Sequence, residues 1–241
     1  QYEPKTVNPD LMDYPKGGEG YVSVLQIDKP EFEWSEATLN FKRPNKNNLI
    51  IYELWVYDYT PERSIEGLMK RLDYIENLGV NAIELMPTQE FDGNNSWGYG
   101  NHAYFAMDKA YGTREQYKEF IDECHARGIA VIVDVVYNHA TGSHPWAKMW
   151  WDSGNNVTSN DNPFFNVYAP HDFSVYHDFN HLYPMTRKYF KDVLQYWLYE
   201  YKIDGYRFDL AKGLVQNPAS YDAGGYSSER IGIINKHIAC A

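Results

Sequence analysis

The sequence predicts an α/β fold with a parallel sheet, laid out as a (β/α) barrel. Three observations carry this expectation. From Leu49 onward, short apolar runs alternate with helical patterns, the signature of β-α units. Polar and acidic residues gather directly after the apolar runs, where barrel active sites lie. Two connections, Thr88–Thr113 and Ala140–Tyr183, are long enough to read as functional loops.

Residues 1–48 hold Pro4, Pro9, Pro15, Gly17-Gly18, Pro30 and Pro44, with a short alternating strand at Tyr21–Ile27. They read as an N-terminal arm or the tail of a preceding domain. Residues 49–241 then form the barrel segment. Its first strand is Leu49–Val56. Ser64 caps a helix whose apolar residues Ile65, Leu68, Met69, Leu72, Ile75 and Leu78 fall at helical spacing, and Gly79 ends it. A second strand, Val80–Pro87, follows. A helix over Arg114–Arg127 stops at Gly128, and Ile129–Val133 is the third strand. Residues 140–183 form an inserted loop subdomain. A helix from Pro184 to about Lys202 precedes the fourth strand, which starts at Ile203, and Ser227–Ala241 is a last amphipathic helix.

Composition bounds the partners. The 241 residues carry a net charge of −11 with Lys and Arg scattered, which argues against nucleic acid. No apolar run reaches membrane-spanning length, so no membrane partner is expected. The N-terminus carries no basic-then-apolar leader, and extracellular, periplasmic and cytoplasmic locations all stay open. Cys124 and Cys240 cannot make a disulfide framework and read as reduced, semi-buried residues.

The residues with chemical potential follow the strands. Arg207 and Asp209 lie two apart, so they share one strand face, and the arginine favours an ionised aspartate. A charged carboxylate at a strand end suits covalent sugar chemistry. Spacing alone equally allows a structural ion pair. Upstream, Asp134-Val135-Val136-Tyr137-Asn138-His139 closes the third strand. Trp97-Gly98-Tyr99-Gly100-Asn101-His102 follows the second.

Taken together, the segments at Val80–Pro87 with Trp97–His102, at Asp134–His139 and at Gly205–Gly213 resemble the conserved regions of the alpha-amylase superfamily, glycoside hydrolase family 13. The resemblance runs from about Leu49 to Gly213 in the family's order. Asp178-Phe179-Asn180-His181 is similar to members related to branching and debranching enzymes. The resemblance implies a (β/α)8 TIM barrel, of which only about the first four β-α units are present. It implies a retaining glycoside hydrolase or glucan-transferring enzyme acting on α-linked glucans such as starch, glycogen or maltooligosaccharides. Asp209 would be the nucleophile, held by Arg207. Tyr99, His139, Asp134, Lys212, Gly213 and Trp97 would meet the sugar, with Asp134 alternatively only orienting Arg207. Asn138 and Asp178 would be calcium ligands, in a family where calcium is not always present, and no other cofactor is required.

Retaining glycosidases need a second carboxylic acid, roughly 5 Å from the nucleophile. In the family it is a glutamate ending the fifth strand. After Asp209 the acids are Asp222, in a Gly-rich turn, and Glu229, in the first turn of a helix. The expectation is therefore a catalytically incomplete fragment, seated against the missing half of the barrel or a second copy. Two other readings stay open: a non-catalytic carbohydrate-binding or scaffold protein, and a metal-dependent barrel hydrolase using His102, His139 and Asp134.

Overall fold

The computed structural model describes residues 30–217 and 225–239, together with Lys16 and Ile27. The expected strand at Tyr21–Ile27, apart from an exposed Ile27, and residues Asp222 and Cys240 lie outside the described residues.

The elements run in chain order as follows. Helix α1 (Glu36–Leu39) and a 3-10 turn (Lys46–Asn48) lead to β1 (Ile51–Leu54). Helices α2 (Val56–Tyr59), α3 (Ile65–Met69) and α4 (Leu72–Asn77) precede β2 (Ala82–Leu85). An antiparallel pair, β3 (Gln89–Phe91) and β4 (Asn101–Met107), leads to α5 (Arg114–Ala126) and β5 (Ala130–Val135). The inserted segment contains β6 (His139–Ala140), α6 (Pro145–Met149), β7 (Trp151–Asp152), β8 (Val157–Thr158) and β9 (His177–Asp178). Then come α7 (Pro184–Glu200), β10 (Gly205–Phe208), a 3-10 turn (Ala211–Leu214) and α8 (Ser228–Ile238).

Strands β1, β2, β5 and β10 form one parallel sheet in that order. Parallel neighbours need a crossover, and the helices between them supply it. Caps set the crossovers' starts. Ser64 accepts from the Gly67 N–H, and Thr113 and Gln116 close a capping box on α5. Gly79 and Gly128 leave the helices at φ +76° and +73°, a region glycine enters without strain.

In-register partners place Ile51, Glu53, Ala82, Glu84, Ala130, Ile132, Asp134, Gly205 and Arg207 on one face of the sheet. The opposite face presents Leu54, Ile83, Leu85, Val131, Val133 and Val135, all buried, in one core with Leu72 and Ile75 of α4, Phe120 and Cys124 of α5, and Val193 and Trp197 of α7.

Local departures from the expected pattern have visible causes. The single helix expected after Ser64 is broken at Lys70–Arg71, where Arg71 N–H bonds back to Leu68 O, three residues earlier. The first strand stops at Leu54 because Trp55 turns out of it to donate its indole N–H to Ser96 O and Tyr111 Oη, each at 3.0 Å. The connection 88–113 is partly β-structure, pinned by buried Phe91 and Tyr104. Before β1, Ser35 bonds to Asp122, Thr38 to His125, and Phe41 stacks on the His125 ring, so this segment packs on α5.

Candidate active site

The site grows from the register of β5 and β10, which sets Arg207 directly beside Asp134. Arg207 Nη1 donates to both carboxylate oxygens of Asp134 at 3.1 Å and to Asp209 Oδ1 at 2.5 Å. One guanidinium thus joins a fully buried carboxylate to one at the strand end. The backbone N–H of Asp209 bonds to Val135 O, which extends the strand pairing past Phe208 and fixes where Asp209 stands. Tyr99 Oη donates to Asp134 Oδ2 at 2.8 Å.

The electrostatics follow from burial. Desolvation pushes the Asp134 carboxyl up to about 6, although Tyr99 and Arg207 pull it down. Burial and the neighbouring Asp134 raise the Tyr99 phenol well above its ordinary range. Burial works against the Arg207 charge, but its bonds to Asp209 and Asp134 outweigh this and raise it. Burial lowers His139, whose Nε2 lies 2.9 Å from Tyr99 O. A carbonyl only accepts, so Nε2 carries the proton and Nδ1, buried and without a partner among the described residues, is an acceptor.

These groups open onto a cleft of about 460 Å³ lined by Trp97, Tyr99, His139, Tyr176, Asp209 and Leu210. Five non-glycine described residues have left-handed φ, and two of them, Tyr176 (φ 50°) and Leu210 (φ 44°), line this cleft. Strained backbone persists where its surroundings over-determine it, and functional sites collect it.

Of the residues expected at the sugar, the structure brings Asp209, Arg207, Asp134, Tyr99, His139 and Trp97 together, with Trp97 at the exposed rim. Lys212 and Gly213 are not brought to the cleft wall. Gly213 is buried against Asn138, whose Nδ2 would lie 2.7 Å from any Cβ there, and the Lys212 ammonium lies 5.6 Å from the Phe173 ring. Sequence reasoning missed Tyr176 and Leu210. Tyr176 stands two residues before the Asp178 motif, a usable signal, but the backbone angles that expose both residues leave no mark in the sequence.

The two candidate calcium ligands do not form a fitting site. Both oxygens of Asp178 are taken by N–H donors, Asn166 Nδ2 at 2.6 Å and His171 Nε2 at 3.1 Å. Asn138 has a buried, unpartnered amide, but calcium asks for six to eight oxygens. Among the described residues no three His, Cys, Asp or Glu side chains converge as metal ligands. His102 pairs with Asp92, while His139 and Asp134 are engaged elsewhere, so the three residues of the metal-hydrolase reading do not gather. Glu229 is also occupied: it accepts the N–H groups of Gln216 and Asn217, away from the cleft lining.

The parallel α/β sheet thus sets a strand-end carboxylate in an aromatic-walled cleft. The family model described as alpha amylase, catalytic domain, matches residues 39–175, and the chain belongs to that family. It is 31% identical over 204 residues to malto-oligosyltrehalose trehalohydrolase of Saccharolobus solfataricus, covering 84% of this chain and 34% of the relative. It is 31% identical over 230 residues to chloroplastic isoamylase 1 of Arabidopsis thaliana, covering 80% and 28%. Among solved structures it matches a pullulanase from Paenibacillus barengoltzii in complex with maltohexaose and alpha-cyclodextrin, with TM-score 0.59 and 26% identity over 75% of this chain and 34% of that one. The chain spans about a third of the length of the curated relatives it matches.

Proposed function

We propose that the full-length protein is a retaining glycosidase or glucan-transferring enzyme acting on α-linked glucans, with Asp209 as nucleophile. The observation that carries this reading is Arg207 joining Asp209, at the cleft, to the buried Asp134. An Asp209 oxygen attacks the anomeric carbon, the glycosidic C–O bond breaks, and a glycosyl ester forms on Asp209. Arg207 and Asp134 position the attacking carboxylate. Tyr99 lines the attacked ring, and His139 Nδ1 accepts a hydrogen bond from a sugar hydroxyl. Water then releases the sugar in a hydrolase, or a glucan hydroxyl does so in a transferase.

The leaving oxygen needs a proton from a second carboxylic acid. Among the described cleft residues Asp209 is the one carboxylic acid, because Asp134 is buried behind Arg207. We assign the acid to a segment outside these 241 residues, and read the sheet as the first four strands of an eight-stranded barrel. On this reading the chain alone does not hydrolyse glucans. Soluble starch should be turned over by the full-length protein, with β-linked cellooligosaccharides untouched. Full turnover by a folded Asp209→Asn variant would overturn the assignment.

A further inference from the structure

A second hollow, of about 400 Å³, lies between α7 and α8 and shares no lining residue with the cleft. We propose that it is a binding site for a phosphorylated sugar.

The argument begins with charge. The chain carries 33 acidic against 22 basic residues, yet Arg187, Lys188, Lys191 and Lys236 line this hollow and no acid does. Arg187 and Lys191 stand four apart on α7, so they share one helix face, and Lys236 approaches from α8. Lys188 pairs with Asp192. Arg187, Lys191 and Lys236 form no ion pair among the described residues. Three cations of that kind around one hollow suit a phosphate group, which offers several charged acceptor oxygens.

Exposed lysines are ordinarily only solvated, but here the floor is built as well. His181 and His237, both buried, line it. His181 Nε2 lies 2.5 Å from Tyr137 O, and a carbonyl only accepts, so this nitrogen carries the proton and Nδ1 accepts. His237 Nε2, 3.3 Å from His181 Nδ1, is therefore the donor of that pair. The proton order leaves His237 Nδ1 as an acceptor with no partner among the described residues. Burial lowers His237 to about 4, which keeps it neutral and accepting near pH 7. An acceptor at the floor suits a sugar hydroxyl, the aliphatic wall of Ile233 suits the apolar face of a pyranose, and the cations at the rim suit its phosphate. The volume falls within the range of small-molecule sites. The His237 ring also stacks on Phe208, which points to the opposite sheet face from Arg207, so the hollow lies behind the strand end that carries Asp209.

Calorimetric titration of the full-length protein with glucose 6-phosphate, glucose and inorganic phosphate tests the proposal. Glucose 6-phosphate should bind more tightly than either of the others, because the hollow meets both of its parts. The triple variant Arg187→Gln, Lys191→Gln, Lys236→Gln changes only exposed side chains and should keep the wild-type unfolding midpoint. Its affinity for glucose 6-phosphate should fall at least about tenfold. Affinity for glucose 6-phosphate no greater than for inorganic phosphate overturns the sugar assignment. Absent binding, or binding undiminished in the triple variant, overturns the site altogether and leaves the glucan reading of the cleft standing.

Discussion

The two faces of the parallel sheet are built to different rules. One carries Leu54, Ile83, Leu85, Val131, Val133 and Val135 into a core closed by helices. The other carries Ile51, Glu53, Glu84, Ile132, Asp134 and Arg207, and it stays partly open, with Ile51 45% exposed. Parallel strands are ordinarily buried on both faces. The candidate site sits on the open face, where a charged side chain in one strand finds its partner in the next. The covered face supplies the rigidity that holds Arg207 in register with Asp134. The closed core and the candidate site are thus separated by the two-residue period of a strand.

Substitutions on the two faces should differ in kind. The largest effect belongs to Asp209→Asn, which should lower turnover of the full-length protein by several orders of magnitude with the fold intact. On the covered face, Val133→Ala should leave kcat close to wild type and lower the unfolding midpoint in urea. Equal loss of turnover from both variants would erase the distinction.

Stability gives the second contrast. Ile83→Ala opens a cavity in the closed core and should cost about 2–5 kcal/mol by urea unfolding. Ile51→Ala, half exposed in this chain, should cost less than about 1 kcal/mol. In the full-length protein the Ile51→Ala cost should rise toward that of Ile83→Ala if further strands cover this face. An unchanged small cost would contradict the barrel reading.

Removing Arg207 leaves Asp134 buried without its cation. Because the Arg207 side chain is itself 43% exposed, Arg207→Met should cost about 1–3 kcal/mol, less than the roughly 3–5 kcal/mol of a fully buried broken pair. The pH response fixes the cause. Asp134 is raised from 3.8 to about 6, so the native state binds more protons than the unfolded chain in that window, and its contribution falls as pH rises through it. Without Arg207 the carboxyl rises further, and the decline should extend above pH 6. An unchanged window would show that Arg207 does not govern Asp134.

A smaller effect separates the fold's histidines from the site. Burial depresses His144 to about 3, with the ring packed among Tyr104, Trp146, Phe165 and Phe179. The unfolded chain binds protons that the native state refuses, so stability is present above about 6.5 and lost as pH falls. Between pH 7 and 5 this should cost wild type about 2 kcal/mol, a loss absent from His144→Asn. Parallel pH dependence of the two proteins, followed by urea unfolding, would contradict it.

Much of this was legible in the sequence because it depends on local order. The apolar runs, the cap Ser64, the stops at Gly79 and Gly128, and the two-residue spacing of Arg207 and Asp209 are local facts, and the structure keeps each of them. What was not legible depends on distant partners. The indole bonds of Trp55 end β1 early, and the antiparallel pairing of 89–91 with 101–107 replaces an expected loop. The left-handed backbones of Tyr176 and Leu210 place side chains in the cleft that no spacing rule selects. Lys212 and Gly213 came from the family resemblance alone, and the 3-10 turn that follows the strand sets Gly213 against Asn138 and leaves both residues off the cleft lining.

The central claim is that Asp209 forms a covalent bond to sugar. The most direct measurement is peptide mass mapping of the full-length protein after reaction with an activated α-glucosyl donor whose release step is slow. One added glycosyl group is expected, on the peptide containing Asp209 and absent from Asp209→Asn. A glycosyl group on another residue, or turnover with inverted anomeric configuration and no adduct, would contradict it.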